Sequence, residues 1–221
     1  MDRSIRRTLI ILLLVVAMVF GIVVGRQMLS DPTAEAVPAP DLSELNTYVY
    51  SEARPLADYR LTNEKGEPAS RDDLLGRWTF AFVGYTYCPD ICPATMATLR
   101  RTSREFPSDL PSPEFFFVSA DPERDTPERL DDYLDFFGEN FHAVTGDIDD
   151  LREVARSISA VFVHRDDGDG NVLVDHSGHL ALLNPEGELV ALIQPPHEPE
   201  KLIKAFREIY QWAKANHPRA N

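Results

Sequence analysis

Ten residues constrain this chain more than any others: Gly84-Tyr-Thr-Tyr-Cys-Pro-Asp-Ile-Cys-Pro93. Both cysteines of the protein, Cys88 and Cys92, lie in that stretch. Residues 78–83, just ahead of it, are apolar and aromatic, which predicts a strand buried on both faces. Residues 93–105 predict a helix, with Pro93 at an early position where its missing N–H costs nothing. The thiols therefore sit where a buried strand passes into a helix N-terminus, whose positive end favours thiolate over thiol. Four positions apart, they share one face if the first turn is already helical. They can then face a single ion, or close a disulfide if the loop relaxes. A structural disulfide is the weaker reading, because closing so short a loop restrains the unfolded chain little. A reversible dithiol or a metal-binding pair is the stronger one.

The rest of the chain supplies a context. With 221 residues, 43% of them apolar, it can bury one core comfortably. The net charge of −14 is unevenly spread. Within the first 30 residues Asp2 stands alone against Arg3, Arg6, Arg7 and Arg26, so that segment carries +3 and the remainder −17. So acidic a domain argues against a nucleic-acid partner. Residues 9–24 form an apolar run of sixteen, interrupted only by Gly21 and preceded by three arginines. The run is somewhat short for a bilayer core, and a cleaved signal peptide is the competing reading. The expectation is an uncleaved, single-pass transmembrane helix in a bacterial cytoplasmic (inner) membrane, N-terminus inside and domain facing the periplasm. The cysteines would then work in an oxidising compartment. This divides the chain into a basic N-terminus (1–8), a membrane anchor (9–25), an Ala/Pro-rich tether (26–45) and a folded domain (46–221).

Within the domain, 63–66 is a turn signal and Ser70 caps a short helix before Gly76. Residues 115–118 predict a second buried strand, followed by a helix capped by Thr126 with Pro127 at its first position, running to about Phe137. A strand at 141–144 and a helix at 149–159 follow. The polar stretch 164–171 fails the calcium-loop pattern, since Val172 falls where Gly belongs and Gly178 where the bidentate Glu belongs, and reads as a hairpin or insertion loop. Residues 180–184 and 189–193 make a β-hairpin, and 199–214 a closing amphipathic helix with Leu202, Phe206 and Ile209 inward. That order predicts an α/β, thioredoxin-like three-layer sandwich with a mixed central sheet.

Any third metal ligand must come from a distant segment. Of the six histidines, His142, His164, His176, His179, His197 and His217, His176 has the best local case. It sits in Val174-Asp-His-Ser-Gly178, in a loop that a thioredoxin-like fold brings beside the cysteine turn. Asp175 or Asp121 could orient its imidazole. Two thiolates and an imidazole are a soft set that suits Cu(I), and Cu(II) with help from a further ligand. Zinc prefers four ligands, the fourth of which Asp90 or Asp121 could supply, so copper is the better match.

The cysteine stretch, together with Ser119-Ala-Asp-Pro-Glu-Arg-Asp-Thr-Pro127 and Val174-Asp-His-Ser177, resembles the three signature blocks of the Sco/SenC proteins over roughly residues 59–212. That resemblance implies a membrane-tethered, thioredoxin-like metallochaperone that helps assemble the copper-A centre of cytochrome c oxidase. It implies Cys88, Cys92 and His176 as copper ligands, with Asp121 an acidic residue near the site. The implied partners are the copper-A subunit, a copper donor protein and a thiol reductant. The competing function is a thiol-disulfide oxidoreductase that reduces the client's cysteines through Cys88 and Cys92. It is weakened by the spacing, since thioredoxin-like reductants usually use Cys-x-x-Cys. A peroxidase is weaker still, resting on fold analogy alone.

Overall fold

The computed structural model describes residues 3–29, 37–166 and 172–216, and the chain divides into two units, Met1–Val37 and Pro38–Asn221. In the first, α1 (Arg3–Leu29) is a helix of 27 residues. Among the described residues, however, no helix is long and apolar enough to cross a membrane. The expected transmembrane helix, membrane anchor, inner-membrane location and periplasmic-facing topology are thereby overturned, and the oxidising-compartment inference goes with them. The physical reason lies in where the charges fall. Arg3, Arg6, Arg7 and Arg26 belong to the same helix, and the sixteen apolar residues between them rise only ~24 Å against a hydrocarbon core of ~30 Å. Of the expected tether, residues 30–36 lie outside the described residues, and 26–29 belong to α1.

The second unit is a mixed sheet covered on both faces. In chain order its elements are β1 (Thr47–Pro55), β2 (Leu61–Asn63), β3 (Pro68–Ala69), β4 (Thr79–Gly84), α2 (Ile91–Glu105), β5 (Glu114–Ser119), α3 (Pro127–Leu134), β6 (Phe141–Thr145), α4 (Ile148–Ser157), β7 (Phe162–Asp166), β8 (Val172–His176), β9 (Leu180–Leu183), β10 (Glu188–Ile193) and α5 (Pro199–Asn216). The main sheet runs β1-β10-β9-β4-β5-β6-β2-β3, and β7-β8 form a separate hairpin. Strands β4, β5 and β6 are parallel and their other neighbours antiparallel. Of the stretch 164–171 weighed as a calcium loop, 164–166 belong to β7 and 167–171 lie outside the described residues.

Alternation along the buried strands sorts the core into two layers. Phe80, Phe82, Phe115, Phe117, Leu180 and Leu182 face one side, where α2, α3 and α5 supply Met96, Leu99, Leu130, Leu134, Leu202, Phe206 and Ile209. Ala81, Val83, Phe116, Val118, Ala181 and Leu183 face the other, where α4 supplies Leu151, Val154 and Ala155. The result is the thioredoxin-like α/β sandwich that the element order predicts. Local signals act as expected at Ser70, whose side chain and that of Asp73 form a capping box, and at Thr126, which accepts from the Arg129 amide ahead of Pro127. Helix α3 ends at Leu134 rather than near Phe137, because 135–137 tighten into turns before Gly138 at φ +143°. The parallel strands β4 and β5 end side by side at Gly84 and Ser119. The loops that leave these carboxyl ends carry the chemistry, the usual place for a site in such a sheet.

Candidate metal centre

The cysteine turn begins where β4 stops. The Cys88 amide donates to the Tyr85 carbonyl at 3.1 Å, a tight bend that turns the chain back toward α2. Cys92 is the second residue of that helix and is 1% exposed, whereas Cys88 is half-buried. Asp90 stands at the N-cap but makes no side-chain cap bond. The Cys88 sulfur takes over part of that task, accepting the Cys92 N–H at 3.4 Å and satisfying one of the free donors of the first helical turn. The fold brings Cys92 so close to the end of β4 that a Cβ on Gly84 would stand 2.9 Å from its sulfur.

His176 arrives from the other side, as the last residue of β8, opposite Phe162 of β7. Its Nε2 lies 3.3 Å from the Cys92 sulfur. Its Nδ1 lies 3.0 Å from the Ser177 carbonyl, which can only accept, so Nδ1 carries the proton and Nε2 keeps a lone pair. The Tyr85 ring packs edge-on against the imidazole, centroids 6.0 Å apart. The loop after His176 is pinned at several points. The Ser177 amide donates to Val161 O at 2.9 Å, His179 Nε2 to Ile158 O at 3.1 Å, and His197 Nε2 to Gly178 O at 2.9 Å.

The donor atoms of Cys88, Cys92 and His176 all lie within 4.8 Å of one another, the one such group of three among the described residues. Burial dominates the electrostatics. It lowers the His176 pKa, opposed by the Ser177 carbonyl and the Asp175 charge, and so favours the neutral imidazole that metals bind. It raises the Cys92 thiol well above the ordinary thiol range, outweighing a backbone hydrogen bond from Tyr85. Position at a helix start therefore does not make Cys92 a thiolate in the metal-free chain. A bound cation compensates the sulfur charge that burial penalises.

The other residues singled out in the sequence take different places. Asp121 is 3% exposed and pairs with Arg124. Asp175 is exposed and pairs with Arg165 across the β7-β8 hairpin. Asp90 is exposed. None of the three joins the donor group. His142 lies between Glu64 and Glu114, and His217 lies outside the described residues. Sequence reasoning passed over Asp125, which is completely buried and hydrogen-bonded to Thr86, two residues before Cys88. It stood in plain view in the 119–127 stretch, but nothing separates it there from the acids that favour helix starts.

Comparison with known proteins agrees with this geometry. Residues 50–211 match the SCO1/SenC family. A Stutzerimonas stutzeri protein named for copper binding is 32% identical over 169 residues, 76% of this chain and 83% of that one. Mitochondrial SCO1 homolog 1 of Arabidopsis thaliana is 30% identical over 161 residues, 71% of this chain, which spans only 47% of that longer relative. The crystal structure of Arabidopsis thaliana ScoI with copper bound superposes with a TM-score of 0.66 at 30% identity, covering 71% of this chain and 98% of that one. With a family match over most of the folded unit, and two sulfurs and an imidazole gathered where its signature blocks meet, the chain belongs to the SCO1/SenC family.

Proposed function

We propose that this protein is a copper-binding chaperone that serves cytochrome c oxidase assembly, holding copper through Cys88, Cys92 and His176 and passing it to the copper-A subunit. One observation carries the reading: two sulfurs and one imidazole nitrogen converge within 4.8 Å at the end of the central sheet. Three soft donors suit copper, which accepts low coordination numbers, better than zinc, which prefers four ligands. The copper-bound relative and family membership support the same cargo. Loading requires both sulfurs as thiolates, so it releases protons and needs the pair reduced. Both cysteines are free thiols in this structure. The buried, high-pKa thiol of Cys92 is a poor resting nucleophile, which weighs against thiol-disulfide exchange as the main activity.

The test is anaerobic copper titration of the full chain, wild type against His176→Ala, Cys88→Ser and Cys92→Ser. His176→Ala keeps most Cu(I) affinity, since two thiolates suffice for linear coordination, but loses Cu(II), which prefers nitrogen and more ligands. Either cysteine change harms both valences. In cells at limiting copper, His176→Ala impairs oxidase copper-centre assembly. Full assembly by that variant, with disulfide exchange intact, would replace the chaperone reading by the reductase one.

A further inference from the structure

Beneath the cysteine turn lies a carboxylate that no metal-binding role accounts for. Asp125 is 0% exposed, in the loop between β5 and α3. Burying a carboxylate is costly unless its oxygens are hydrogen-bonded, and those of Asp125 are. Its Oδ1 accepts the Thr86 hydroxyl at 2.7 Å and the Thr86 backbone N–H at 3.1 Å. Its Oδ2 accepts the Ser119 hydroxyl at 2.8 Å. Because both hydroxyls donate inward, each is free to accept from a third group. Thr86 Oγ1 accepts Arg129 Nε at 3.2 Å, and Ser119 Oγ accepts the Asp121 amide at 3.0 Å. The network therefore has one direction: from α3 and from the β5 end, every proton points toward Asp125. An apolar side chain could fill the same space at less cost. What it could not do is hold the Thr86 amide, within the turn that carries Cys88.

We propose that Asp125 is a positioning residue for the metal centre, fixing Thr86 and through it the Cys88 turn, so that both sulfurs stand preformed opposite His176. The inference deepens the copper reading and rests on it for its purpose. It acts through chain geometry: Thr86 precedes Tyr85's hydrogen-bonded partner Cys88 by two residues, and His176 is held from its other side by the pinned loop after β8, while Tyr85 packs on its ring and Arg124 donates to Val172 O of β8. If Thr86 is released, the two halves of the donor group lose their register while the sheet below remains.

Two readouts test it, one of them independent of copper. In the metal-free full chain, Asp125→Asn keeps the shape but replaces an acceptor oxygen by a donor, so one inward-pointing arm must reverse. Amides of residues 86–92 then exchange hydrogen about tenfold faster, while those of 80–83 in β4 keep wild-type protection. Thr86→Val removes only the hydroxyl and gives a smaller change of the same kind, should Asp125→Asn fold poorly. With Cu(II) added, either variant shows a shifted thiolate-to-copper absorption band and an affinity lower by about ten- to a hundredfold, as loss of a supporting hydrogen bond around a metal site does. Wild-type exchange in the turn overturns the proposal. So does acceleration spread evenly over turn and sheet, which marks a merely structural role. So does a loosened turn with an unchanged copper spectrum. If the wild-type chain itself takes up no copper, the chaperone reading falls, and the exchange comparison still decides whether Asp125 holds the turn.

Discussion

At the scale of single residues, the candidate metal centre is a problem of space as much as of donors. Gly84 ends β4 directly behind Cys92, and a Cβ there would meet the Cys92 sulfur at 2.9 Å and the Phe117 ring at 3.0 Å. Neither neighbour can retreat easily: Cys92 is 1% exposed and Phe117 is packed edge-on against Phe82. Gly84→Ala is therefore expected to destabilise the fold by about 1–3 kcal/mol and to displace the sulfur. Urea unfolding and copper competition check the two effects, and unaltered copper affinity in the variant would show that the sulfur has room. A second expectation concerns protons and oxidation. Since burial holds the Cys92 thiol protonated, copper affinity rises with pH as the thiol gives way to thiolate, and a Cys88–Cys92 disulfide takes up no copper at all. Copper stoichiometry of the oxidised and reduced chain, across a pH series, measures both. Equal loading of the two redox forms would remove the sulfurs from the ligand set.

At the scale of elements, the edge hairpin β2-β3 illustrates how charge secures a short strand. It pairs with β6 through only two residue positions, yet Glu64 in its turn is 8% exposed. One Glu64 oxygen accepts the Ala143 amide at 3.0 Å, and the other lies 3.4 Å from His142 Nδ1. On the far side, His142 Nε2 lies 3.3 Å from Glu114 at the start of β5. A ring with a carboxylate at each nitrogen is most stable as imidazolium, and Glu114 and then Glu64 push the His142 pKa up to about 9. The folded pKa lies above the unfolded one, so this stabilisation is complete below about 6.5 and is lost as pH rises through about 9. The side chain is 39% exposed, so solvent screens part of the effect. Unfolding measured between pH 6 and pH 10 should show a decline that His142→Gln abolishes. A decline of the same size in the variant would assign it to another group.

Over the whole molecule, stability and the cysteine pair share one helix, α2, but at opposite ends. The layer containing Phe206, Trp78 and Tyr210 packs α5 against the start of β4 and against α2, which supplies Met96 and Leu99 to that layer and carries Cys92 in its first turn. Phe206 is fully buried and touches Trp78, Phe80 and Phe106. Phe206→Ala should cost about 3–5 kcal/mol through the cavity it leaves. The copper spectrum of the folded protein should change little, because Phe206 meets α2 near its far end, at Phe106, about four turns along the helix from Cys92. A spectral shift in Phe206→Ala would mean that strain travels along α2. The acidic charge of −14 belongs to this scale as well. It argues against a nucleic-acid surface and favours solubility, but it selects no site.

The sequence by itself determined the elements and most of their order. A run such as Glu114-Phe-Phe-Phe-Val-Ser119 can only be buried on both faces, and Thr126-Pro127 can hardly do other than start a helix. It also marked Cys88 and Cys92, because both thiols at a strand-to-helix turn admit few uses. Three things were decided only in the tertiary structure. The first is the contact between His176 and the sulfurs: the sequence singled out that histidine, but it is 84 positions from Cys92, and no local spacing encodes a contact made by folding a hairpin back over a sheet. The second is the protonation of Cys92, where helix position argued one way and burial prevails. The third is Asp125, read in sequence as one more acid near a helix start, yet enclosed by partners from β5 and the cysteine turn. Hydrophobic periodicity is a property of neighbours along the chain and survives in one dimension. Desolvation and hydrogen-bond convergence depend on what the chain brings together from afar, and exist only in three.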